Sequence, residues 1–410
     1  GHHVTHFDQL AEGGVKKLAE QLRVDPPDLV AVSIRNIDTV DSACPDSFHM
    51  DALHTIEIVR QHSSAAVVVG GPAFSLLPDE FMDLLRPDYG VIGEGEEVLC
   101  WIADQLVSGN PPQEKIFRGP VSDSPWQHPV TYSDKVASYY LKRGGMLNVQ
   151  TKRGCPFRCA YCSYPGLEGR KLRLRDPREV AYEVARLTRE YGARYIFFAD
   201  SVFNDPHGHY LEVAEALVKN GNKTPWCAFF RPQDLTRETL ALLKRAGLAA
   251  MELGTDAASD QTLAGMNKGF SFHDVRETNE NAVAEGIPAS HFVIFGGPNE
   301  DEVSFAEGLR NLDTLSRTVV FAFTGVRVLP NTAVYDRAID EGILSPDAAL
   351  LDPVFYFSPG ISREKLHKDL ACAWEGRLDR IYPIASMADR VKRLHQSGLA
   401  GPLWDLLIRR

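Results

Sequence analysis

Three cysteines lie close together in the chain, at Cys155, Cys159 and Cys162. Their unequal spacings of four and three residues are typical of a loop that wraps its thiolates around one metal centre. Thiolates are the usual ligands of iron–sulfur clusters, and a cluster that receives only three protein ligands keeps one iron open for another molecule. A zinc loop is the alternative, but it would need a fourth Cys or His at short range. His207 and His209 are the histidines that folding could bring close.

The composition of the chain is that of a soluble globular protein. It has 410 residues, of which 44% are hydrophobic and 24% are charged, and this length is enough for two or three sizeable cores. The sequence has no apolar run of about 18 residues and no signal-peptide pattern, which predicts a cytoplasmic protein without a membrane span. The chain opens with Gly1 rather than Met, so the sequence leaves open whether further residues precede it.

Charge and cysteine usage narrow the functional classes. The net charge of −11 disfavours a general nucleic-acid binder, since such proteins usually carry a basic surface. Seven cysteines, three of them clustered, fit a reducing compartment better than a disulfide framework.

Residues 1–108 alternate between strand and helix, which predicts an α/β domain with a doubly wound parallel sheet. The predicted strands cover residues 4–7, 29–34, 65–69 and 89–92, and the predicted helices cover 15–22, 52–59, 79–85 and 96–106. Gly70, Gly71, Gly93 and Gly95 lie where strands give way to helices. They either let a ligand approach the backbone closely or simply form tight turns.

The rest of the chain predicts a linker, a second α/β unit and a final helical region. Residues 109–145 contain five prolines and few periodic apolar positions, which is typical of a linker. The strands predicted beyond it cover residues 146–150, 195–198, 227–230, 250–253, 291–295 and 319–326, and the helices cover 177–191, 210–219, 238–245, 272–285 and 302–315. Six parallel strands cannot close an eight-stranded barrel, so residues 146–343 should form an open, partial barrel with its site at the carboxyl ends of the strands. We expect the helical, irregular residues 344–410 to cover its open side.

The cysteine loop, with Tyr161 just before the third cysteine, resembles the loop that binds a 4Fe–4S cluster in radical S-adenosylmethionine (radical SAM) enzymes. Residues 1–108, through the segments 27–33, 67–72 and 90–96, resemble the cobalamin-binding domain that precedes the radical SAM barrel in one branch of that superfamily, the class B methyltransferase-like enzymes. The Asp-x-His-x-x-Gly motif that supplies a histidine to cobalt in many such domains is absent. The resemblance therefore implies cobalamin held without a protein ligand on its lower face. The alternative is a fold kept as a scaffold without the cofactor.

The same resemblance implies residues that bind S-adenosylmethionine (SAM). Gly296, Gly297 and Pro298 resemble the family's glycine-rich turn at the adenosine end of SAM. The segment 253–260 before 266–269 looks like the family pattern Gly-x-Glu-Ser before Met-Asn-Lys-Gly, and Asp256 stands at the position of the family's glutamate.

Three polar residues end the second and third barrel strands and should face the same mouth. They are Asp200, Ser201 and Arg231. Arg231 could bind a carboxylate in bidentate fashion. An ordinary strand-end cap or a surface ion pair is the alternative for each of the three.

The resemblance implies an enzyme that cleaves SAM at a 4Fe–4S cluster. Its first expected activity is cobalamin-dependent methylation of an unactivated carbon in a small-molecule or natural-product substrate, with an electron donor such as flavodoxin or ferredoxin as partner. A non-methylating radical reaction, such as cyclisation, rearrangement or transfer of another part of SAM, remains open. So does a non-catalytic cobalamin-binding or metal-binding module. No residue is assigned a catalytic role.

Overall fold

Two parallel sheets form the framework of the chain. The computed structural model describes residues 1–123 and 130–408. Within them, one sheet has four strands and the other has seven, and two short antiparallel pairs accompany them. No helix among the described residues has the length and apolar character needed to cross a membrane.

The N-terminal sheet is parallel throughout. Its strands, in their order across the sheet, are β1 (Leu29–Ser33), β2 (Ala66–Gly70), β3 (Tyr89–Ile92) and β4 (Ile116–Arg118). Its helices are α1 (Gln9–Glu12), α2 (Gly14–Val24), α3 (His49–His62), α4 (Pro72–Leu76), α5 (Pro78–Leu85) and α6 (Glu96–Val107). Val67, Val68 and Val69 of β2 are buried because helices pack on both faces of this sheet.

Two parts of the secondary structure predicted for this half are corrected. Residues 4–7 form no strand, and residues 1–6 are exposed and so have no sheet to pair with. The predicted linker contains β4, which pairs with β3, and α7 (Asp134–Arg143). Pro125 and Pro129 of that linker lie outside the described residues. The division between domains at residue 108 stays a prediction.

The second sheet is an open parallel barrel. The remaining strands are β5 (Leu147–Val149), β6 (Lys152–Arg153), β7 (Arg173–Leu174), β8 (Ile196–Phe198), β9 (Trp226–Phe230), β10 (Leu248–Asp256), β11 (Ala289–Phe295), β12 (Thr318–Thr324), β13 (Val326–Arg327), β14 (Phe355–Tyr356) and β15 (Arg380–Ile381). The order across the barrel is β15-β12-β11-β10-β9-β8-β5. The six predicted strands are all present, and β15 adds a seventh that pairs in parallel with β12.

The remaining helices follow or connect the strands of this barrel. They are α8 (Tyr164–Leu167), α9 (Pro177–Tyr191), α10 (His209–Lys219), α11 (Arg237–Arg245), α12 (Asp260–Gly265), α13 (Phe272–Ala284), α14 (Glu302–Asp313), α15 (Ala333–Asp340), α16 (Arg363–Ala373) and α17 (Ala388–Gln396), with short 3-10 turns at Ile384–Met387 and Trp404–Leu407. Helix α9 begins and ends as its sequence predicts. The Asp176 side chain accepts from the amide of Arg178 at the start, and Gly192 adopts a φ of 69° at the end.

The C-terminal residues close the inner side of the barrel. Trp404 and Leu407 pack against Cys227, Ala250 and Val319, which point inward from three barrel strands. Residues 344–410 include two short strands, β14 and β15, besides their helices. That this region covers the open side of the barrel stays a prediction.

The loop after β1 docks onto the barrel. The Arg327 Nε atom donates to Asp38 Oδ2 at 2.6 Å, and both side chains are buried. Ser42 Oγ lies 2.9 Å from Oγ1 of Thr324, the last residue of β12. The carboxyl end of the N-terminal sheet therefore contacts the carboxyl end of the barrel.

Candidate cluster and cofactor site

The cysteine loop is held by backbone contacts on two sides. It leaves the antiparallel pair β6–β7, and the amide of Cys155 donates to Gly169 O at 3.0 Å. On the other side, the amide of Ala160 donates to Met266 O at 2.9 Å. Cys162 N donates to Cys159 O at 3.2 Å, which closes a tight turn between the second and third cysteines.

Both carboxylate oxygens of Asp200 accept hydrogen bonds from the chain itself. Its carboxylate accepts from the amide and hydroxyl of Thr151 at 2.7 and 2.5 Å and from the amide of Lys152 at 3.2 Å. The Lys152 amine lies 3.4 Å away, and Asp200 is buried. Asp200 therefore positions the segment that leads into the cysteine loop, and the geometry favours the strand-end alternative over direct cofactor contact.

Ser201 also supports the cysteine loop from outside. Its hydroxyl donates to Glu168 Oε2 at 3.2 Å, and the same oxygen accepts from the amide of Gly154 at 3.0 Å. Gly154 directly precedes Cys155. The structure thus places Ser201 beside the loop through Glu168 rather than against the thiols.

The thiols themselves are largely out of water. Cys155 is buried, and Cys159 and Cys162 are half-buried. Burial raises the pKa of Cys155, and it raises the pKa of Cys162 to about 12. Without a metal the thiols of Cys155 and Cys162 keep their protons, because a buried thiolate needs a compensating positive charge.

Two buried cations stand beside Cys159. The Lys268 amine lies 3.5 Å from Cys159 Sγ, and Nη1 of Arg231 lies 3.6 Å from it. The guanidinium of Arg231 sits over the Phe157 ring at 3.8 Å and over the Phe270 ring at 5.0 Å. Arg231 also donates to Gln233 Oε1 at 3.1 Å and to the carbonyl of Lys268. Across residues 1–123 and 130–408, no carboxylate pairs with it.

Asp256 links the cation to the aromatic residue of the loop. The Tyr161 hydroxyl donates to Asp256 Oδ2 at 2.6 Å, and the Lys268 amine donates to the same oxygen. Burial opposes the charge of Lys268, but Asp256 and Cys159 together outweigh burial and raise the pKa of the amine. Burial, with the neighbouring Asp256 charge, raises the pKa of Tyr161 well above its usual value. Lys268 is therefore a cation and Tyr161 a neutral donor.

These residues fit an anionic, thiolate-ligated group better than a single ion. A buried arginine without a carboxylate needs an anion nearby, and the thiolates of the loop would supply it. Among the described residues, no three His, Cys, Asp or Glu side chains are grouped so as to hold one metal ion. His209, a possible zinc ligand by sequence, is buried with Nε2 2.7 Å from the carbonyl of Arg175.

The glycine-rich turn after β11 is packed against the same segment as the cysteine loop. A Cβ on Gly297 would come within 2.7 Å of Met266 Cε, and the carbonyl of Met266 holds Ala160. Gly296 has a φ of 87°, and a Cβ there would come within 2.8 Å of Phe357. Pro298 packs its carbonyl against Gly265 of α12. The turn and the cysteine loop are therefore coupled through Met266.

The glycine turns of the N-terminal sheet include one with a clear packing role. Gly71 has a φ of 94°, and a Cβ there would come within 2.6 Å of Ile34 O at the end of β1. Gly70 ends β2, and Gly93 and Gly95 flank Glu94 in the loop after β3. Close packing explains Gly71 without a ligand.

Glu94 joins that loop to the cysteine-loop hairpin. Its Oε1 lies 2.6 Å from Arg173 Nη1 and 3.2 Å from Arg153 Nη1. Arg153 and Arg173 are directly paired across β6 and β7. The N-terminal domain and the cysteine loop are thus tied by an ion-pair network.

Lys268 was missed as a site residue by sequence reasoning, and so were the rings of Phe157 and Phe270. The available signal was a lysine in the Met266–Gly269 segment, which the family pattern had already singled out. Tyr161 and Lys268 both donate to Asp256, and Arg231 donates to the carbonyl of Lys268. Their roles in cofactor binding stay predictions.

The comparisons with known proteins concern the family and the fold of the chain. Residues 149–312 match the family described as the radical SAM superfamily. Tryptophan 2-C-methyltransferase from Streptomyces laurentii is 25% identical over 390 residues, which cover 76% of this chain and 65% of that protein. An anaerobic magnesium-protoporphyrin IX monomethyl ester cyclase from Cereibacter sphaeroides is 31% identical over 193 residues, which cover 45% of this chain and 29% of that protein. The chain thus spans less than two thirds of either relative.

A solved structure extends the likeness to nearly the whole chain. The radical S-adenosylmethionine methyltransferase TsrM from Kitasatospora setae, solved with cobalamin and a 4Fe–4S cluster bound, superposes with a TM-score of 0.84 at 23% identity. The superposition covers 96% of this chain and 88% of that one. Residues 149–312 therefore match the radical SAM family, and the chain as a whole shares its fold with that methyltransferase.

Proposed function

We propose that this chain is a cobalamin-dependent radical SAM methyltransferase that acts on an unactivated carbon of a small molecule. One observation carries the proposal: Cys155, Cys159 and Cys162 lie at the barrel mouth, where Cys159 is next to the buried cations Lys268 and Arg231, and Arg231 has no carboxylate partner among the described residues. The methyltransferase names and the fold of its relatives support the choice of reaction.

The residues of the site divide into three groups by the molecule that they would hold. The three cysteines would ligate the cluster. Tyr161, Asp256 and the turn at Gly296–Pro298 lie around the mouth where SAM would bind. The loops after β1, β2 and β3, the last of which includes Gly93 and Gly95, would contact cobalamin. The bound groups would supply reductive cleavage of SAM and a transferable methyl group.

The chain's own residues would prepare this site before any cofactor binds. Lys268 and Arg231 place positive charge beside the cluster ligand Cys159. The hydrogen bonds that Tyr161 and Lys268 donate to Asp256 hold the part of the loop just before Cys162. The aromatic rings of Phe157 and Phe270 shield both cations from water, so that their charge acts at low dielectric.

The expected partners follow from this chemistry. Reduction of a cluster requires an electron donor, and a flavodoxin or ferredoxin is the class that we propose. All seven cysteines are free. Free thiols and a cluster site fit a reducing compartment, so we propose the cytoplasm as the place of action.

Product analysis tests the proposal. The protein is reconstituted anaerobically with iron, sulfide and cobalamin, reduced in the presence of SAM and a panel of small molecules, and analysed by mass spectrometry. We expect S-adenosylhomocysteine together with 5′-deoxyadenosine and a methylated product. SAM cleavage without S-adenosylhomocysteine would instead favour a non-methylating reaction, for which the likeness to a cyclase is the supporting observation. Absence of SAM cleavage would favour a binding module and contradict the proposal.

A further inference from the structure

The loop after β3 contacts the strand pair β6–β7, which flanks the cysteine loop. Within the loop after β3, Glu94 lies between two glycines, and its side chain is only 12% exposed. Its Oε1 atom lies 2.6 Å from Nη1 of Arg173, whose side chain is 2% exposed, and 3.2 Å from Nη1 of Arg153. A nearly buried carboxylate that faces two guanidinium groups makes strong, charge-assisted contacts. These contacts hold the Glu94 side chain against the strand pair.

The chain around Glu94 is packed closely. Its Oε2 accepts from the amide of Ser122 at 3.1 Å, and Arg173 donates to the carbonyl of Ser122 at 2.7 Å. The amide of Gly119 donates to Ile92 O at 2.8 Å, and a Cβ on Gly119 would overlap the carbonyl of Glu94. Because no free space separates these segments, a shift of the loop after β3 moves the Glu94 carboxylate with it.

A row of hydrogen bonds continues from Arg173 to the first cysteine. Nη2 of Arg173 donates to the carbonyl of Glu168 at 2.9 Å. Oε2 of Glu168 accepts from the amide of Gly154 at 3.0 Å. The amide of the next residue, Cys155, donates to Gly169 O at 3.0 Å. Glu94 is therefore connected, through Arg173 and Glu168, to the backbone that leads into the cysteine loop.

Glu96, two residues further along, makes an ordinary surface contact. Its side chain is 62% exposed, and its Oε1 lies 3.4 Å from Nη1 of Arg153. An exposed ion pair of this kind contributes little, because solvent screens it. The two glutamates thus share a partner but differ in burial, which makes Glu96 the matched control for Glu94.

We propose that Glu94 is a positioning residue that couples the loop after β3 to the cysteine loop, so that cobalamin seated on the first loop makes the second hold its cluster more firmly. The inference rests on the proposed function, because cobalamin is the molecule expected at the loop after β3. Glu94 acts through Arg173 and Glu168, which hold the backbone before Cys155, and not through a contact with the cluster.

The coupling has a defined sign. A ligand that orders the loop after β3 also orders the Glu94 carboxylate, which lowers the entropy cost of ordering the cysteine loop around a cluster. Linkage makes the effect reciprocal, so a bound cluster should tighten cobalamin binding by the same factor. Couplings between two sites are typically about fivefold or more.

Iron loss from the reconstituted protein tests the coupling without any turnover. The protein is incubated anaerobically with EDTA, with or without cobalamin, and then desalted, and its remaining iron and cobalt are measured by atomic absorption. We expect cobalamin to slow iron loss from the wild-type protein by about fivefold. Without cobalamin, Glu94→Gln should lose iron roughly tenfold faster than wild type, the effect of one charge-assisted hydrogen bond. Cobalamin should no longer slow the loss from this variant.

Three further variants separate coupling from a general loss of stability. Glu96→Gln should behave as wild type does in both conditions. Glu94→Asp keeps the charge on a shorter side chain and should retain part of the cobalamin effect. Glu94→Gln combined with Arg173→Met leaves no arginine charge buried opposite a neutral side chain, and cobalamin should still not slow its iron loss. A variant that is merely less stable would lose iron faster and keep the cobalamin effect.

Three results would overturn the proposal: equal iron loss with and without cobalamin from wild-type protein that retains cobalt, a full cobalamin effect in Glu94→Gln, or loss of the effect in Glu96→Gln as well. Wild-type protein that keeps its iron but retains no cobalt would instead contradict the proposed function. The comparison without cobalamin then decides whether Glu94 positions the cysteine loop, and equal iron loss from wild type and Glu94→Gln would overturn that role.

Discussion

The amine of Lys268 lies 3.5 Å from the sulfur of Cys159. The lysine is buried, and its acidic partner is Asp256. Arg231 adds a second positive charge at 3.6 Å from the same sulfur. Positive charge at a ligand sulfur stabilises the more negative, reduced form of a cluster and raises its reduction potential.

Lys268→Met should therefore lower the reduction potential of the reconstituted cluster. A tenfold change in the one-electron equilibrium corresponds to about 59 mV, and we expect a decrease of roughly that size or more. A redox titration followed by electron paramagnetic resonance measures it. Lys268→Arg keeps the charge and should shift the potential less, and the exposed Lys223→Met should not shift it. An unchanged potential in Lys268→Met would contradict the assigned role.

A substitution at Gly297 should affect both SAM binding and the cysteine loop. Gly297→Val would collide with Met266, and Met266 holds the loop through Ala160. We expect weaker SAM binding, by roughly tenfold or more if the turn contacts SAM, and a lower iron content per chain. Adding Met266→Ala relieves the collision and should restore iron without restoring SAM binding. If the double variant recovers both its iron content and its SAM binding, the turn has only a structural role.

The sequence predicted the local features of this site better than its long-range contacts. Asp176 and Gly192 fix the ends of α9 through capping rules that act over a few residues. Strand β15 has only two residues, so no periodic pattern could mark it. Lys268 and Cys159 are 109 positions apart, and only the folded barrel brings them together.

Asp200 illustrates a second limit of sequence reasoning. Its place at the end of a barrel strand correctly put it near the mouth. Whether its carboxylate was free depended on Thr151 and Lys152, which turn back toward it. Which groups hydrogen-bond to a carboxylate depends on the backbone geometry around it, and residue types alone do not encode that geometry.

His291 should make the stability of the barrel depend on pH. It is fully buried, with its ring nitrogens 2.8 Å from Thr255 Oγ1 and 3.2 Å from Asn279 Oδ1. Burial, with Arg380 nearby, lowers its pKa to about 3. The unfolded chain takes up a proton below about pH 6.5 while the folded chain does not, so stability falls as pH decreases through this range.

At pH 5 this linkage should cost about 2 kcal/mol relative to pH 7. Thermal unfolding at the two pH values measures it, and His291→Asn, which cannot titrate, should lose less stability on acidification than wild type. An equal loss in both proteins would show that His291 is not held neutral in the folded state.

The buried pair of Asp38 and Arg327 should hold the loop after β1 on the barrel. Asp38→Ala leaves the Arg327 charge buried without its partner, which typically costs about 3–5 kcal/mol. Limited proteolysis should then cut near residues 38–47 faster than in wild type. The double variant Asp38→Leu with Arg327→Met removes both charges and should recover much of the protection. Unchanged proteolysis in Asp38→Ala would contradict this docking role.

The claim that Cys155, Cys159 and Cys162 hold one cluster with an open iron is tested most directly by electron paramagnetic resonance of the reduced protein before and after SAM is added. After anaerobic reconstitution, wild-type protein should carry about four irons per chain, and SAM should change the signal of the reduced cluster. Each single Cys→Ala variant should lose the cluster, the signal and SAM cleavage. A full cluster in all three variants, or a wild-type signal that SAM leaves unchanged, would contradict the claim.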